Sequence, residues 1–128
     1  MENCHFCDRV RAGEFNFSND HAVAFPDSYP LSAGHTLVIP RIHEADLFKF
    51  NASIRAAVWQ LVDTVQLHLA ETLGPDGFNI GVNVRPAGGQ TIPHAHVHVI
   101  PRTVGDVADP RGGVRWVIPN KAPYWERD

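Results

Sequence analysis

The chain has 128 residues, 44% of them apolar and 20% charged, which suits one soluble domain with a single sizeable core and is too short for two. Lys and Arg number 11 against 14 Asp and Glu, a formal charge of -3. That argues against a large non-specific nucleic-acid surface but leaves room for a small anionic ligand held by local dipoles. The start, MENCHFCDRV, has neither the apolar run nor the basic leader of a secretory signal, and no stretch reaches transmembrane length. The expectation is a cytoplasmic protein that meets neither membrane nor nucleic acid. Its two cysteines, Cys4 and Cys7, are not expected to form a structural disulfide there.

In chain order, Val23–Phe25 and Thr36–Ile39 read as short strands joined by a turn, PDSYPLSAG, with its two prolines, two serines and a glycine. From Ala52 to Leu73 the apolar residues Ile54, Val58, Leu61, Val62, Val65 and Leu69 keep helical spacing. Asn51 or Ser53 caps that helix at its start, and Gly74-Pro75 stops it. In GFNIGVNV, Phe78, Ile80, Val82 and Val84 alternate with Asn79, Gly81 and Asn83, the pattern of a half-buried strand. The loop RPAGGQTIP then leads to HAHVHVIPR, so these two strands are expected to pair as an antiparallel hairpin. The tail, about residues 103–128, is mostly turns with one further strand expected at Val114–Ile118. One long helix and several strands give an α+β class, an antiparallel meander sheet in a single domain over 1–128.

His94, His96 and His98 alternate with Ala95, Val97 and Val99. In a strand this puts three imidazoles on one face and the small apolar residues on the other. Imidazoles two apart can share a metal ion, or one can attack while its neighbours orient it and stabilise charge. The glycine-rich AGGQT before the strand favours the second use. Its backbone N–H groups, the Gln90 amide and the Thr91 hydroxyl can converge on an anion, and glycine lets backbone approach a phosphate closely. No GKS-type phosphate loop and no acidic pair demanding magnesium is present.

The run HAHVHVI resembles the motif of the histidine triad (HIT) family. FPDSYPLSAGHTLVIPRIH and NIGVNVRPAGGQT resemble the family's amino-terminal strand pair and the strand and loop before the motif, so the likeness covers most of residues 4–102. It implies a HIT-like fold and hydrolysis or transfer at the α-phosphate of a nucleotide through a nucleotidyl-histidine. By the same resemblance His96 is the nucleophile, with its other ring nitrogen held by a backbone carbonyl, and His98 binds the phosphate and the leaving oxygen. Gln90 (with a catalytic role), Thr91 and Gly89 line the phosphate, and Asn83 reaches the ribose-phosphate. Phe25 and Asp27 match the base-stacking and ribose-hydroxyl positions, with Phe6 and Leu37 as walls of the base pocket. Read from pattern alone, Phe6, Phe25 and Leu37 are equally core residues, and Asp27 is a turn residue.

His98 separates the chain from the uridylyltransferase branch, where glutamine takes that place. VIPR and GDVADPRGG resemble bacterial HIT proteins near the Fhit-type dinucleoside polyphosphate hydrolases. A diadenosine tetraphosphate-like substrate is therefore expected. The alternatives are hydrolysis of purine nucleoside phosphoramidates or aminoacyl adenylates, as in the Hint branch, a nucleotide sensor with weak turnover, and a metal-dependent hydrolase. Arg85 departs from the family pattern, standing where glycine or an acidic residue is common. Metal-bearing relatives imply a structural zinc on Cys4, Cys7, His43 and His94, with His5 and His35 as rival ligands; two thiols without a metal is the plain alternative. The resemblance also implies a homodimer through the long helix and a sheet strand. Trp59 is its exposed aromatic unless the tail covers it, and Trp116 and Trp125 are candidates to cross toward the partner's site.

Overall fold

The structure is a computed structural model that describes residues 3–127. Cys4 begins the first element: its Sγ accepts the Cys7 N–H at 3.3 Å, capping α1 (His5–Ala12), which Gly13 ends at φ 69°. Glycine enters that left-handed conformation without a Cβ clash. Periodicity gives no sign of α1, because eight residues are too few for a 3.6-residue repeat to stand out.

After β1 (Phe17–Ser18), the strands β2 (Ala22–Pro26) and β3 (Thr36–Pro40) form the expected antiparallel pair, with Phe25 opposite Leu37. The long helix α2 spans Ala52–Leu73 as expected, with Asn51 capping the Ile54 N–H and Gly74 closing it at φ 58°. The expected hairpin joins β4 (Gly77–Val82) to β5 (Val97–Arg102), His98 lying opposite Gly81. The antiparallel sheet runs β1-β2-β3-β5-β4, so it departs from chain order only in placing β5 between β3 and β4. That insertion brings His98 opposite Leu37 as well, which sets the histidines at the middle of the sheet.

The two faces have different cores. Ala22, Ala24, Val38, Ala95, Val97 and Val99 pack against Val58, Leu61, Val62 and Val65 of α2. The intervening residues Val23, Phe25, Leu37 and Ile39 pack with Cys4, Phe6 and Cys7 of the α1 segment. Of the three histidines expected on one strand, only His98 stands on β5, which begins at Val97; His94 and His96 precede it, with their rings also on the α1 face, 5.8 and 5.3 Å from Phe6. Burying four α2 side chains on the far face contributes on the order of 1.5–3 kcal/mol each relative to exposure, anchoring the sheet on which the site stands.

The tail corrects one expectation. Val114–Ile118 is not a strand; Gly113–Val117 is a 3-10 helix, followed by further short 3-10 turns. Gly112 and Gly113 have positive φ, and Pro110 and Pro119 flank them, so extended backbone is broken at both ends. The tail folds back toward β4 and β5. Arg102 binds Asp106 at 2.6 and 2.9 Å, and the Val104 N–H donates to Asp76 at 2.7 Å.

Candidate functional site

Hydrogen-bond partners fix the tautomer of each histidine of the triad, and His96 differs from its two neighbours. His94 is fully buried and its Nε2 lies 2.8 Å from the Pro40 carbonyl oxygen. A carbonyl only accepts, so Nε2 carries the proton and Nδ1 keeps its lone pair. His96 is the reverse: Nδ1 sits 2.8 Å from the His94 carbonyl oxygen, which leaves the Nε2 lone pair free. His98 Nδ1 lies 2.9 Å from His35 Nε2. His35 Nδ1 in turn accepts the Leu31 N–H at 3.0 Å, so the His35 proton is on Nε2 and is donated to His98. His98 therefore bears its proton on Nε2.

The chain of contacts from the Leu31 amide through His35 to His98 was not legible as a unit, since His35 lies 63 residues from its partner. Asp27 Oδ2 stands 3.4 Å from His35 Nε2, while Oδ1 accepts the Tyr29 N–H at 2.9 Å. Asp27 is thus both the turn residue that its surroundings suggest and a neighbour of the relay. Asp27, His35 and His98 place three ligand-type atoms within 4.8 Å. The Leu31 N–H nevertheless fixes His35 with Nε2 protonated, which makes this a hydrogen-bond relay rather than a metal site. Burial pushes the His98 imidazole down to about 4, aided by His96 and His35 and opposed by Asp27. His35 is lowered by burial, again against Asp27. Both rings are neutral near pH 7.

A second cluster lies just before β5. The ligand atoms of Cys4, Cys7, His43 and His94 fall within 4.8 Å of one another. His94 Nδ1 is 3.5 Å from Cys4 Sγ and 3.6 Å from Cys7 Sγ, and His43 Nδ1 is 3.4 Å from Cys7 Sγ. Both thiols are free and buried. His35 belongs to the relay and His5 is exposed, so His43 is the fourth member. Two sulfurs and two imidazoles are a donor set suited to tetrahedral zinc, and the His94 lone pair already faces the thiols. Burial first, then the hydrogen bond and charge of Cys4, push the Cys7 thiol up to about 11; a cation between the thiols reverses that preference.

The remaining residues divide. Asn83 and His98 share a cavity of about 850 Å3 on the histidine face, whose far wall is the tail. Gln90 and Thr91 instead line a separate cleft with Lys49 and Arg85. The Gln90 amide is fully engaged: Nε2 donates to the Ala45 and Ile92 carbonyls at 2.8 and 3.0 Å, and Oε1 accepts the Arg85 N–H at 2.9 Å. It shapes the loop rather than pointing at His96. Gly89, at φ 93°, makes the turn behind it. Arg85 holds φ 66° and ψ 166°, a region nearly reserved to glycine, and its guanidinium is tied to Asp46 at 2.9 Å. Phe6, Phe25 and Leu37 are all buried. The Phe6 ring stands edge-on to Phe25 at 5.5 Å and to His96 at 5.3 Å. They are core here, with Phe6 also covering the His96 ring.

A family model described as HIT domain matches residues 11–105. A HIT-like protein of Mycoplasma genitalium is 37% identical over 103 residues, 78% of this chain and 73% of that protein. Adenylylsulfatase HINT3 of Arabidopsis thaliana is 36% identical over 110 residues, 83% of this chain and 55% of that protein. Among solved structures, a zinc-bound histidine triad family protein from Mycobacterium smegmatis superposes with a TM-score of 0.73 at 32% identity, over 84% of this chain and 80% of that one. Among the described residues, no helix is long and apolar enough to cross a membrane.

Proposed function

The chain belongs to the HIT domain family, and from that premise we propose that it hydrolyses a nucleotide at its α-phosphate through a covalent nucleotidyl-His96. The observation that carries this reading is the His96 Nδ1–His94 carbonyl contact, which leaves Nε2 as the one free imidazole lone pair of the triad. Nε2 forms a bond to the α-phosphorus while the bond to the leaving group breaks, its electron pair departing with that group. The His98 N–H supports the departing atom by a hydrogen bond. Water then bonds to phosphorus, the electron pair returns to Nε2, and the water's proton goes to solvent. A donor of the His98 kind is worth about 2.7–4 kcal/mol at a developing oxyanion. Detecting the nucleotidyl group on His96 in acid-quenched protein tests this reading.

Asn83, beside His98 in the cavity, is assigned to the ribose-phosphate. Asp27 is assigned to the ribose hydroxyls, and Phe6, Phe25 and Leu37 to the base. Gln90 and Gly89 hold the loop that presents Thr91 and its backbone to phosphate oxygens.

Cys4, Cys7, His43 and His94 would hold zinc, a closed structural site that supplies a brace and no open coordination position. The zinc-bound Mycobacterium smegmatis relative supports this assignment. His96 and His98 lie outside the cluster, which favours nucleophilic over metal-ligand chemistry for them.

A homodimer through α2 and the edge strand β4 completes the reading. Trp59 is 40% exposed, so the tail does not cover it, and Leu67, Leu73 and Ile80 are exposed apolar residues on the same two elements. The free thiols suit the cytoplasm. A dinucleoside polyphosphate is one substrate class for this chemistry, with ADP or ATP as leaving group; acyl adenylates and phosphoramidates are the others.

A further inference from the structure

The loop between β4 and β5 carries Asn83, Gly89, Gln90 and Thr91 and ends in His94 and His96. Three consecutive residues that follow His43 hold it at three points. The Ala95 N–H donates to the Glu44 carbonyl at 2.7 Å, Gln90 Nε2 to the Ala45 carbonyl at 2.8 Å, and Arg85 Nε to Asp46 Oδ2 at 2.9 Å. The first two acceptors are main-chain groups that any residue supplies. The third bond joins two side chains, so it is the one that the identity of the residues decides.

Arg85 is strained where it stands. Its φ of 66° and ψ of 166° lie where a Cβ is disfavoured, and such a backbone persists when its surroundings hold it. They do so here from several sides. The Arg85 N–H donates to Gln90 Oε1 at 2.9 Å, and the Arg85 carbonyl accepts the Gly88 and Gln90 N–H groups at 3.0 and 3.1 Å. The guanidinium reaches Asp46, whose side chain is only 5% exposed. That carboxylate is fixed in turn, its Oδ1 accepting the Phe48 N–H at 2.8 Å at the start of the 3-10 turn Leu47–Lys49. The Phe48 N–H first, and Arg85 with it, hold the Asp46 carboxyl below its ordinary range, so it is ionised at pH 7. Glycine would take the same backbone without strain; what it lacks is the pin to Asp46.

We propose that Arg85 is a positioning residue: its ion pair with Asp46 pins the loop, so that Gln90 stays on the Ala45 carbonyl and Thr91 is held where it meets the α-phosphate. This rests on the assignment of that loop to phosphate oxygens. Thr91 directly follows Gln90 and is exposed in the cleft that Arg85 also lines. Arg85 touches no reacting atom in this scheme; its effect reaches the phosphate through Gln90 and Thr91. Small displacements suffice, since a misplacement of about 1 Å costs on the order of 100-fold in rate.

Calorimetry with AMP and with adenosine isolates what the phosphate adds, and the ratio of the two affinities within one protein is insensitive to the fraction folded. In the zinc-loaded parent protein AMP is expected to bind about tenfold or more tighter than adenosine, as hydrogen bonds to a charged group allow. Arg85→Gly, which suits the backbone, should bring that ratio toward one. Asp46→Asn separates the pin from charge alone. It keeps an acceptor for the Phe48 N–H and removes a negative charge, so simple attraction by Arg85 would raise the ratio, whereas loss of the pin lowers it. The double variant is expected to match Arg85→Gly, because both changes break one contact. AMP no tighter than adenosine in the parent, an unchanged ratio in Arg85→Gly, or a raised ratio in Asp46→Asn overturns the proposal. Acid quenching with diadenosine tetraphosphate or adenosine 5′-phosphoramidate as adenylyl donor keeps this apart from the nucleophile. An AMP preference lost in both variants, with no adenylyl-His96 from either donor in the parent, sustains the pin and removes the nucleophile assignment. Adenylyl-His96 formed about 10–100-fold more slowly in Arg85→Gly supports both; formation at the parent rate removes the pin and leaves His96 standing.

Discussion

His35 Nε2 lies 2.9 Å from His98 Nδ1, and the backbone N–H of Leu31 on the far side of the His35 ring decides which of the two nitrogens carries the shared proton. His35 is therefore a positioning residue: it turns the His98 proton toward the cavity. Replacing His35 by Phe is expected to lower kcat about 10–100-fold, by analogy with the loss of an orienting partner from a metal-bound histidine. His35→Gln, which keeps an N–H donor, is expected to retain more. Nitrogen-15 NMR should find His98 as the Nε2–H tautomer in the parent protein and as a mixture in His35→Phe. An unchanged tautomer in that variant contradicts the relay.

The metal cluster leads to a second expectation. Protein purified without added zinc should contain about one ion per chain, and Cys4→Ala or His94→Ala should lose both the ion and several degrees of thermal stability. The ordinary tertiary packing of α1 depends on the same cysteines, which lie in its buried cluster. Full metal content and unchanged melting in Cys4→Ala would remove the site.

Much of this architecture was legible because it is local. β2 and β3 are short apolar runs bounded by turn residues, the alternation in β4 and the histidine run is a period of two, and α2 is long enough for its period to show and carries a cap and a stop. The side of the sheet that the histidines occupy follows from the same alternation. What was not legible depends on contacts far apart in sequence or on short elements. α1 has one apolar turn, whose sign in hindsight is Gly13 after two arginines. Gln90 looks like a free amide until Ala45, 45 residues away, is brought beside it. Val114–Ile118 has strand-like residues, yet the flanking glycines and prolines decide its backbone. Phe6 and Phe25 are apolar in either role, and only the packing of α1 on β2 and β3 shows them buried.

Stability should fall on acidification. His98 and His35 are lowered in the folded protein, while in the unfolded chain both titrate near 6.5. Between about 4 and 6.5 the unfolded chain binds more protons, so stability rises with pH through that window and is fully present above it. Urea midpoints at pH 7.5 and pH 5.0 are expected to show the lower value at pH 5.0. The drop should be smaller in His98→Gln. A midpoint that is unchanged or higher at pH 5.0 runs against the burial of these rings.

The exposed Trp59, Leu67 and Leu73 on α2 lead to an expected dimer. Light scattering at micromolar concentration should return twice the 14.2 kDa chain mass, and Trp59→Glu should shift it toward one chain. A monomer mass for the parent protein contradicts the dimer and leaves the chemistry of the triad untouched.

The assignment of His96 as nucleophile is tested most directly by acid-quenched mass spectrometry with an adenylylated substrate in excess. A single adenylyl mass should appear and map to His96. It should be absent from His96→Ala, which is expected to lose turnover while still binding nucleotide, and should be present, formed slowly, in His98→Gln. An adenylyl group on His94 or His98, or one that persists in His96→Ala, would contradict the account.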